Sequence, residues 1–360
     1  MLSLSSFPES PAPYQSLSLR RSELMGLATL WVMLFHAYPF SFRIAPLDTF
    51  KGLGYLGVDV FILLSAMGIY VSLRRADQRG EGDRPGRFYA KRLMRILPSF
   101  WLVVGAYSLF LVQAGRAGWS LLFWNLSTLY FWFQVPGAFN WYIPALLAFY
   151  LISPFYVKLF RRCPDAWKAA LTAASFPVSY ALYRLVLPFG QLYFLACRLP
   201  AFALGVLMGH YLVSRQPLTR RHAAAWAGLS LAGLLMLIPH MVPSAGWFRL
   251  SLNYLFAAQL VPLCMLLALA SGKLPGWIQA FLRLLGRCSL EIYLLNVVVT
   301  REFDLLAPYL DRGPGHVFYY AVVYSANLLL GIGLHTLLSR LIPAGPKSPA
   351  PYQSRRDGAS

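Results

Sequence analysis

Ser22-Glu23-Leu24-Met25-Gly26-Leu27-Ala28-Thr29-Leu30-Trp31-Val32-Met33-Leu34-Phe35-His36 follows two arginines, Arg20 and Arg21, and from Leu24 onward carries no charge until its last residue. Read as a helix, it holds the His36 imidazole about fourteen residues, roughly 21 Å, from its basic end. An ionisable group so deep in an apolar run is costly in lipid, and it reads first as functional, with a partner still to be named. A neutral histidine hydrogen-bonded between helices is the alternative.

The rest of the chain extends this pattern. It is 58% hydrophobic and only 12% charged, and long apolar runs recur from end to end, which describes an all-α, polytopic integral membrane protein. Residues 1–19 read as a disordered N-terminal tail, 20–342 as one transmembrane domain and 343–360 as a disordered C-terminal tail. The beginning of the chain lacks the basic, apolar, small-residue order of a cleaved signal peptide. A net charge of +19 would suggest nucleic acid in a soluble protein. Here the basic residues separate apolar runs, where they set orientation, so no nucleic-acid partner is expected. Cys163, Cys197, Cys264 and Cys288 are dispersed without metal spacing, so neither a disulfide nor a metal site is expected.

The apolar runs are 22–40, 52–73, 94–112, 120–134, 141–157, 169–188, 193–213, 222–240, 250–271, 282–300 and 317–340. If all crossed the membrane, the loop with Lys158, Arg161, Arg162 and Lys168 would lie outside, and the later basic loops would be inverted with it. If the short aromatic segment 119–134 does not cross, the conflict disappears. The basic loops 74–92, 158–168 and 214–221, Lys273 with Arg283, and the tail with Arg355 and Arg356 then share one side. The reading is about ten transmembrane helices plus one interfacial or re-entrant aromatic segment, with both termini cytoplasmic.

This topology puts three ionisable groups at one depth. Asp59 lies about two turns into the second span, Arg198 is early in the run 193–213, and His36 reaches nearly the same level, so the three are expected to face one cavity in the outer half. Bracing of helices by Asp59 and snorkelling of Arg198 to head groups are the structural alternatives. Arg92 and Arg95 sit one turn apart near the opposite end of the third span. Paired guanidinium forks suit phosphate, and lipid head groups or a soluble cytoplasmic anion would both satisfy them.

Five stretches now carry a resemblance. They are Gly57-Val58-Asp59-Val60-Phe61 with the residues up to Ser65, Arg92-x-x-Arg95-Ile96-x-Pro98-x-x-Trp101, Trp141-Tyr142-Ile143 with Phe149-Tyr150-x-x-x-Pro154, Arg198-x-Pro200-x-Phe202-x-x-Gly205, and Leu285-Gly286-Arg287-Cys288-Ser289 with Ile292-Tyr293-Leu294-Leu295. In this order, around a histidine late in the first span, the chain resembles the membrane-bound acyltransferase family 3 over about residues 20–300.

The resemblance implies transfer of an acyl group, commonly acetyl, from cytoplasmic acyl-CoA to a hydroxyl of an envelope saccharide or glycolipid, in a bacterial-type inner membrane. Acyl-CoA would be a donor substrate, with no permanently bound cofactor. His36 would act as general base or relay the acyl group, and Asp59 would orient it. Arg92 and Arg95 would hold the CoA phosphates, while Arg198, Trp141 and Asn296 would lie on the acceptor. Three positions depart from the family. Met25 stands where a basic residue is usual, with Arg21 one turn earlier; no carboxylate follows Trp141 within 143–146; and Asn296 replaces a frequent histidine, with Glu291 nearby as the acid that could take over. A catalytically silent relative acting as a partner subunit, and a transporter or flippase of a lipid-linked saccharide, are the other function classes; the second would usually show inverted-repeat halves, and none is evident.

Overall fold

The computed structural model describes residues 13–37, 40–80, 85–135, 140–237, 251–303 and 314–342. Every element among them is helical. In order they are α1 (Pro13–Leu19), α2 (Arg21–His36), α3 (Ala45–Gly52), α4 (Gly57–Gln78), α5 (Pro85–Gln113), α6 (Ser120–Leu126), α7 (Leu129–Phe133), α8 (Tyr142–Arg162) and α9 (Asp165–Val186). They continue as α10 (Tyr193–Ala196), α11 (Leu199–Val213), α12 (Arg220–Leu235), α13 (Leu252–Ser271), α14 (Gly276–Arg287), α15 (Ser289–Phe303) and α16 (Pro314–Leu341). Single 3-10 turns, Gly54–Leu56 and Gly190–Leu192, lead into α4 and α10.

Six helical stretches are long and apolar enough to cross a bilayer: 45–78, 85–113, 142–162, 190–213, 252–271 and 317–341. The protein is therefore a multi-pass membrane protein, helical in every element among the described residues. The remaining expected spans are shorter, broken or, as in α9 with its 22 continuous residues, less apolar. The run 282–300 is interrupted at Cys288, where α14 ends and α15 begins, and α2 has only 16 residues, about 24 Å at the helical rise. The aromatic segment 119–134 forms α6 and α7, of seven and five residues, joined through Thr128 in the left-handed region at φ 61° and closed by Gln134 at φ 54°. Neither helix rises more than about 11 Å, too little to cross.

Helix α2 is the central element. It packs against α4, α13, α14 and α15. The approach to α14 is closest, because two glycines face the opposing backbone. A Cβ on Gly286 would run into the carbonyl of Ser22 and lie 3.1 Å from the Gly26 nitrogen, and one on Gly26 would run into the Leu282 carbonyl. Small residues at such a crossing let backbones touch and gain dispersion contacts that lipid cannot supply. Gly205 does the same for α11 against α4, where a Cβ would meet the Leu63 carbonyl. Around these crossings lies one apolar core, with Leu63, Leu64, Phe100, Ile143, Phe160, Val206, Leu260 and Cys264 fully buried.

Part of the expected N-terminal tail is structured. Residues 13–19 form α1, with Tyr14 and Leu17 buried against α11, α13 and α2. Trp226 Nε1–H donates to the Tyr14 hydroxyl at 3.0 Å, and the Tyr14 ring lies 5.1 Å from that of Tyr211. Burial pushes the Tyr14 phenol up to about 12, so it stays neutral at any physiological pH. The Ser/Pro composition hid these two side chains. Residues 1–12 and the tail 343–360 lie outside the described residues.

Gly286→Ala forces α14 away from α2 and costs about 1–3 kcal/mol, as overpacking does elsewhere. Thermal unfolding in detergent checks this, and Gly276→Ala, where an added Cβ meets nothing within 4 Å, serves as the neutral control.

Candidate functional site

His36 is the last residue of α2. Its Nδ1 lies 3.0 Å from the Val32 carbonyl one turn back and 2.9 Å from the side-chain amide of Asn296 on α15. A carbonyl can only accept, so Val32 calls for the proton on Nδ1 and leaves the imidazole lone pair on Nε2. In the structure Asn296 Nδ2 is the atom nearer the ring, and the amide meets that demand once it is turned over to present its oxygen. Its NH2 then faces Asn327 on α16, 3.4 Å away, whose buried Oδ1 otherwise lacks a hydrogen bond. With both amides turned, the Asn327 oxygen accepts from the Asn296 NH2.

Asp59 and Arg198 form a second cluster. Asp59, in the first turn of α4, is 1% exposed, and its Oδ2 accepts from Asn253 Nδ2–H of α13 at 2.9 Å. Arg198 is fully buried at the break between α10 and α11, which Pro200 enforces. Its Nε is 3.6 Å from Asp59 Oδ1, its Nη1–H donates to the Phe194 carbonyl at 3.0 Å, and its Cζ stands 4.3 Å over the Trp141 ring. Arg198 Nε and Nη2 and Asp59 Oδ1 are buried without a hydrogen bond. Asp59 and Arg198 lie against each other with Trp141 beside them, while Val32 and Asn296 lie against His36.

At the other end of α2 the arginines gather. Arg92 lies 5.7 Å from the ring centroids of Phe88 and of Tyr150 on α8. Arg21 is close enough to Arg92, Arg95 and Tyr150 to interact electrostatically with all three, and its Nε is buried without a hydrogen bond. The acid nearest Arg21 in sequence, Glu23, is held by Arg20 at 3.2 Å and Arg283 at 3.1 Å. Three guanidinium groups thus converge, and no ion pair to any of them is found among the described residues. Such a like-charge cluster calls for an anion.

Glu291 is 5% exposed between two donors. Ser99 Oγ–H of α5 donates to it at 2.7 Å, and His335 Nδ1 of α16 lies 3.1 Å from its other oxygen. Ser99, Asn253, Asn327 and His335 escaped the sequence reading, as did the convergence of Arg21 with the arginine pair. Their only signal was polarity inside otherwise apolar runs.

The profile of the acyltransferase domain family, acyltransferase family 3, matches residues 24–336. Over 287 residues, 69% of this chain and 69% of the relative, the sequence is 29% identical to acyltransferase MdmB of Streptomyces mycarofaciens. No solved structure matches.

Asp59→Ala strands the Arg198 charge and is expected to cost about 3–5 kcal/mol, whereas adding Arg198→Met to it restores most of the loss. Unfolding midpoints of the single and double variants in detergent, read by tryptophan fluorescence, make the comparison.

Proposed function

The chain belongs to the acyltransferase family whose domain spans residues 24–336, and from that premise we propose that it moves an acyl group, acetyl in the simplest case, from cytoplasmic acyl-CoA to a hydroxyl of an envelope saccharide or glycolipid. The observation that carries this reading is the two-ended character of α2. Arg21 joins Arg92 and Arg95 at one end, and His36 sits on Asn296 at the other, about 22 Å away. A phosphate-bearing donor fits the first end, and proton transfer fits the second.

In the reaction, the acceptor oxygen attacks the thioester carbon while His36 Nε2 takes the hydroxyl proton. The C–O bond forms, the C–S bond breaks, and the proton passes from the imidazolium to the departing thiolate. In a two-step variant His36 itself carries the acyl group between donor and acceptor. The Val32 carbonyl and Asn296 keep the required tautomer in place. Asp59 holds Arg198 and through it Trp141, which together with Asn296 receive the acceptor. Glu291, between Ser99 and His335, supplies the acid that the segment after Trp141 lacks. Arg92 and Arg95 bind the CoA phosphates; acyl-CoA is a substrate and not a resident cofactor.

In this reading about ten segments cross a bacterial-type inner membrane, both termini are cytoplasmic, and α6 and α7 lie on the outer side with the acceptor. The basic loops 74–92, 158–168 and 214–221 support that orientation, since together they keep positive charge inside.

His36→Ala is expected to lower transfer from acetyl-CoA to a saccharide acceptor by about 10²–10⁴ per folded molecule. His36→Gln keeps hydrogen bonding but cannot take the proton, and is nearly as inactive. Full activity of the glutamine variant in a radiolabelled-acetyl assay would return His36 to a packing role. For orientation, a cysteine at Gly118, which is exposed just before α6, should react with a membrane-impermeant maleimide on intact cells. Labelling there only after permeabilisation overturns the topology.

A further inference from the structure

A groove of about 620 Å³ lies between α5, α15 and α16 and shares a wall with the His36 site. That wall is α15, where Leu295, Val298 and Glu302 form a stripe along the groove while Asn296 lies off the stripe, turned to His36. Val103 and Tyr107 of α5 are buried at the base. Leu102 and Phe110 of α5 and Leu329 and Leu330 of α16 stand exposed at the rims, so the groove opens sideways from the bundle. Gly333 helps to keep it open, because a Cβ there would meet nothing within 4 Å.

The chemistry changes along the groove. Apart from Tyr107 and Glu302, its lining is leucine, valine, alanine, phenylalanine and glycine. Those two residues meet at one end, where Tyr107 Oη–H donates to Glu302 Oε1 at 2.5 Å and Arg116 Nη1–H donates to Oε2 at 2.7 Å. From Leu295 to Glu302 the groove follows α15 for roughly 10 Å, about two thirds of the ~15 Å hydrocarbon depth of one leaflet. Glu302 stands roughly 9 Å along α15 beyond Asn296, the residue that touches His36. A volume within the ~300–1,000 Å³ of ligand sites, apolar for most of its length and hydrogen-bonding at one end, fits a hydrocarbon chain carrying a polar head. The mouth also selects the head. Arg116 matches the Glu302 charge, so the pair offers a phosphate no net attraction, whereas a hydroxyl can donate to the carboxylate and accept from the guanidinium.

We infer that the groove holds the hydrocarbon chain of the acceptor, an uncharged glycolipid whose saccharide hydroxyls meet Tyr107, Glu302 and Arg116. The inference rests on the acyltransferase reading above and deepens it. The acceptor is taken from the bilayer: its chain enters between the rims of α5 and α16, and its saccharide stays at the end of the bundle where α2 carries His36. A free sugar with the same hydroxyls lacks the chain and is the poorer substrate.

The test uses the purified full chain in phosphatidylglycerol nanodiscs, with dodecyl β-glucoside and dodecylphosphocholine each carrying a diazirine in the chain. Photolysis of the glucoside is expected to mark Leu102 and Leu330, with unlabelled dodecyl β-glucoside suppressing the marks at least tenfold and the phosphocholine giving no more than a tenth of the yield. Equal marking by both probes, or marking spread evenly to other exposed positions such as Phe155 and Leu185, makes the groove ordinary lipid surface and overturns the inference. Gly333→Trp, which fills the groove, is expected to lower the marking and the kcat/KM for acetylation of dodecyl β-glucoside from acetyl-CoA at least tenfold each. Gly228→Trp on α12, where an added Cβ also meets nothing within 4 Å, is the control and changes neither beyond twofold. If Gly333→Trp does not fold, Ala106→Phe on α5 fills the groove from the other wall. Marking lost with acetylation kept overturns the acceptor role. Methyl β-glucoside acetylated as efficiently as the dodecyl form overturns the groove and leaves the proposed function standing. If the groove is marked but neither glucoside is acetylated, the proposed function fails and the acceptor role with it, while the glycolipid site stands.

Discussion

The bundle depends on the contact between α2 and α14, where Gly26 and Gly286 bring two backbones together with no side chain between them. In lipid there is little gain from hiding apolar side chains, so close backbone approach and its dispersion energy must fix the helices. That contact anchors α2, and α2 sets the heights of both polar ends. Arg21 is held at the level of Arg92 and Arg95, and His36 is held against Asn296. A helix free to slide by one turn, about 5.4 Å, would separate both pairs at once.

The polar groups follow a second rule, that each charge inside the bundle is matched. Asp59 and Arg198 neutralise each other, and Asn253 and Trp141 complete their surroundings. Glu291 is matched by His335 and Ser99. The three arginines break the rule, and they do so beside a cavity bordered by hydroxyls. The exception has the charge to suit an anion, because a cluster of one sign has no internal answer among the described residues.

Much of this was legible in the sequence, for physical reasons. The cost of polar groups in lipid made His36, Asp59, Arg198 and Glu291 conspicuous, and guanidinium spacing singled out Arg92 and Arg95. Short aromatic composition also set 119–134 apart, and there α6 and α7 are helices of only seven and five residues. The pairings were less legible. Hydropathy assigns a depth but no azimuth, so it could not tell that His36 turns toward α15 while Asp59 turns toward Arg198. Helix breaks were equally silent, since Cys288 and Arg198 interrupt runs whose hydropathy is continuous. Asn327 and His335 lie in a run read only as a span, and their roles depend on which neighbour α16 meets.

The arginine cluster has an energetic consequence for the bundle. Three positive groups drawn together by the packing of α2 on its neighbours repel one another, so the bundle carries a built-in opposition between its apolar contacts and its charges. Any anion that settles there relieves the repulsion and becomes part of what holds α2 to α5. Affinity for that anion and cohesion of the helices are then one linked quantity.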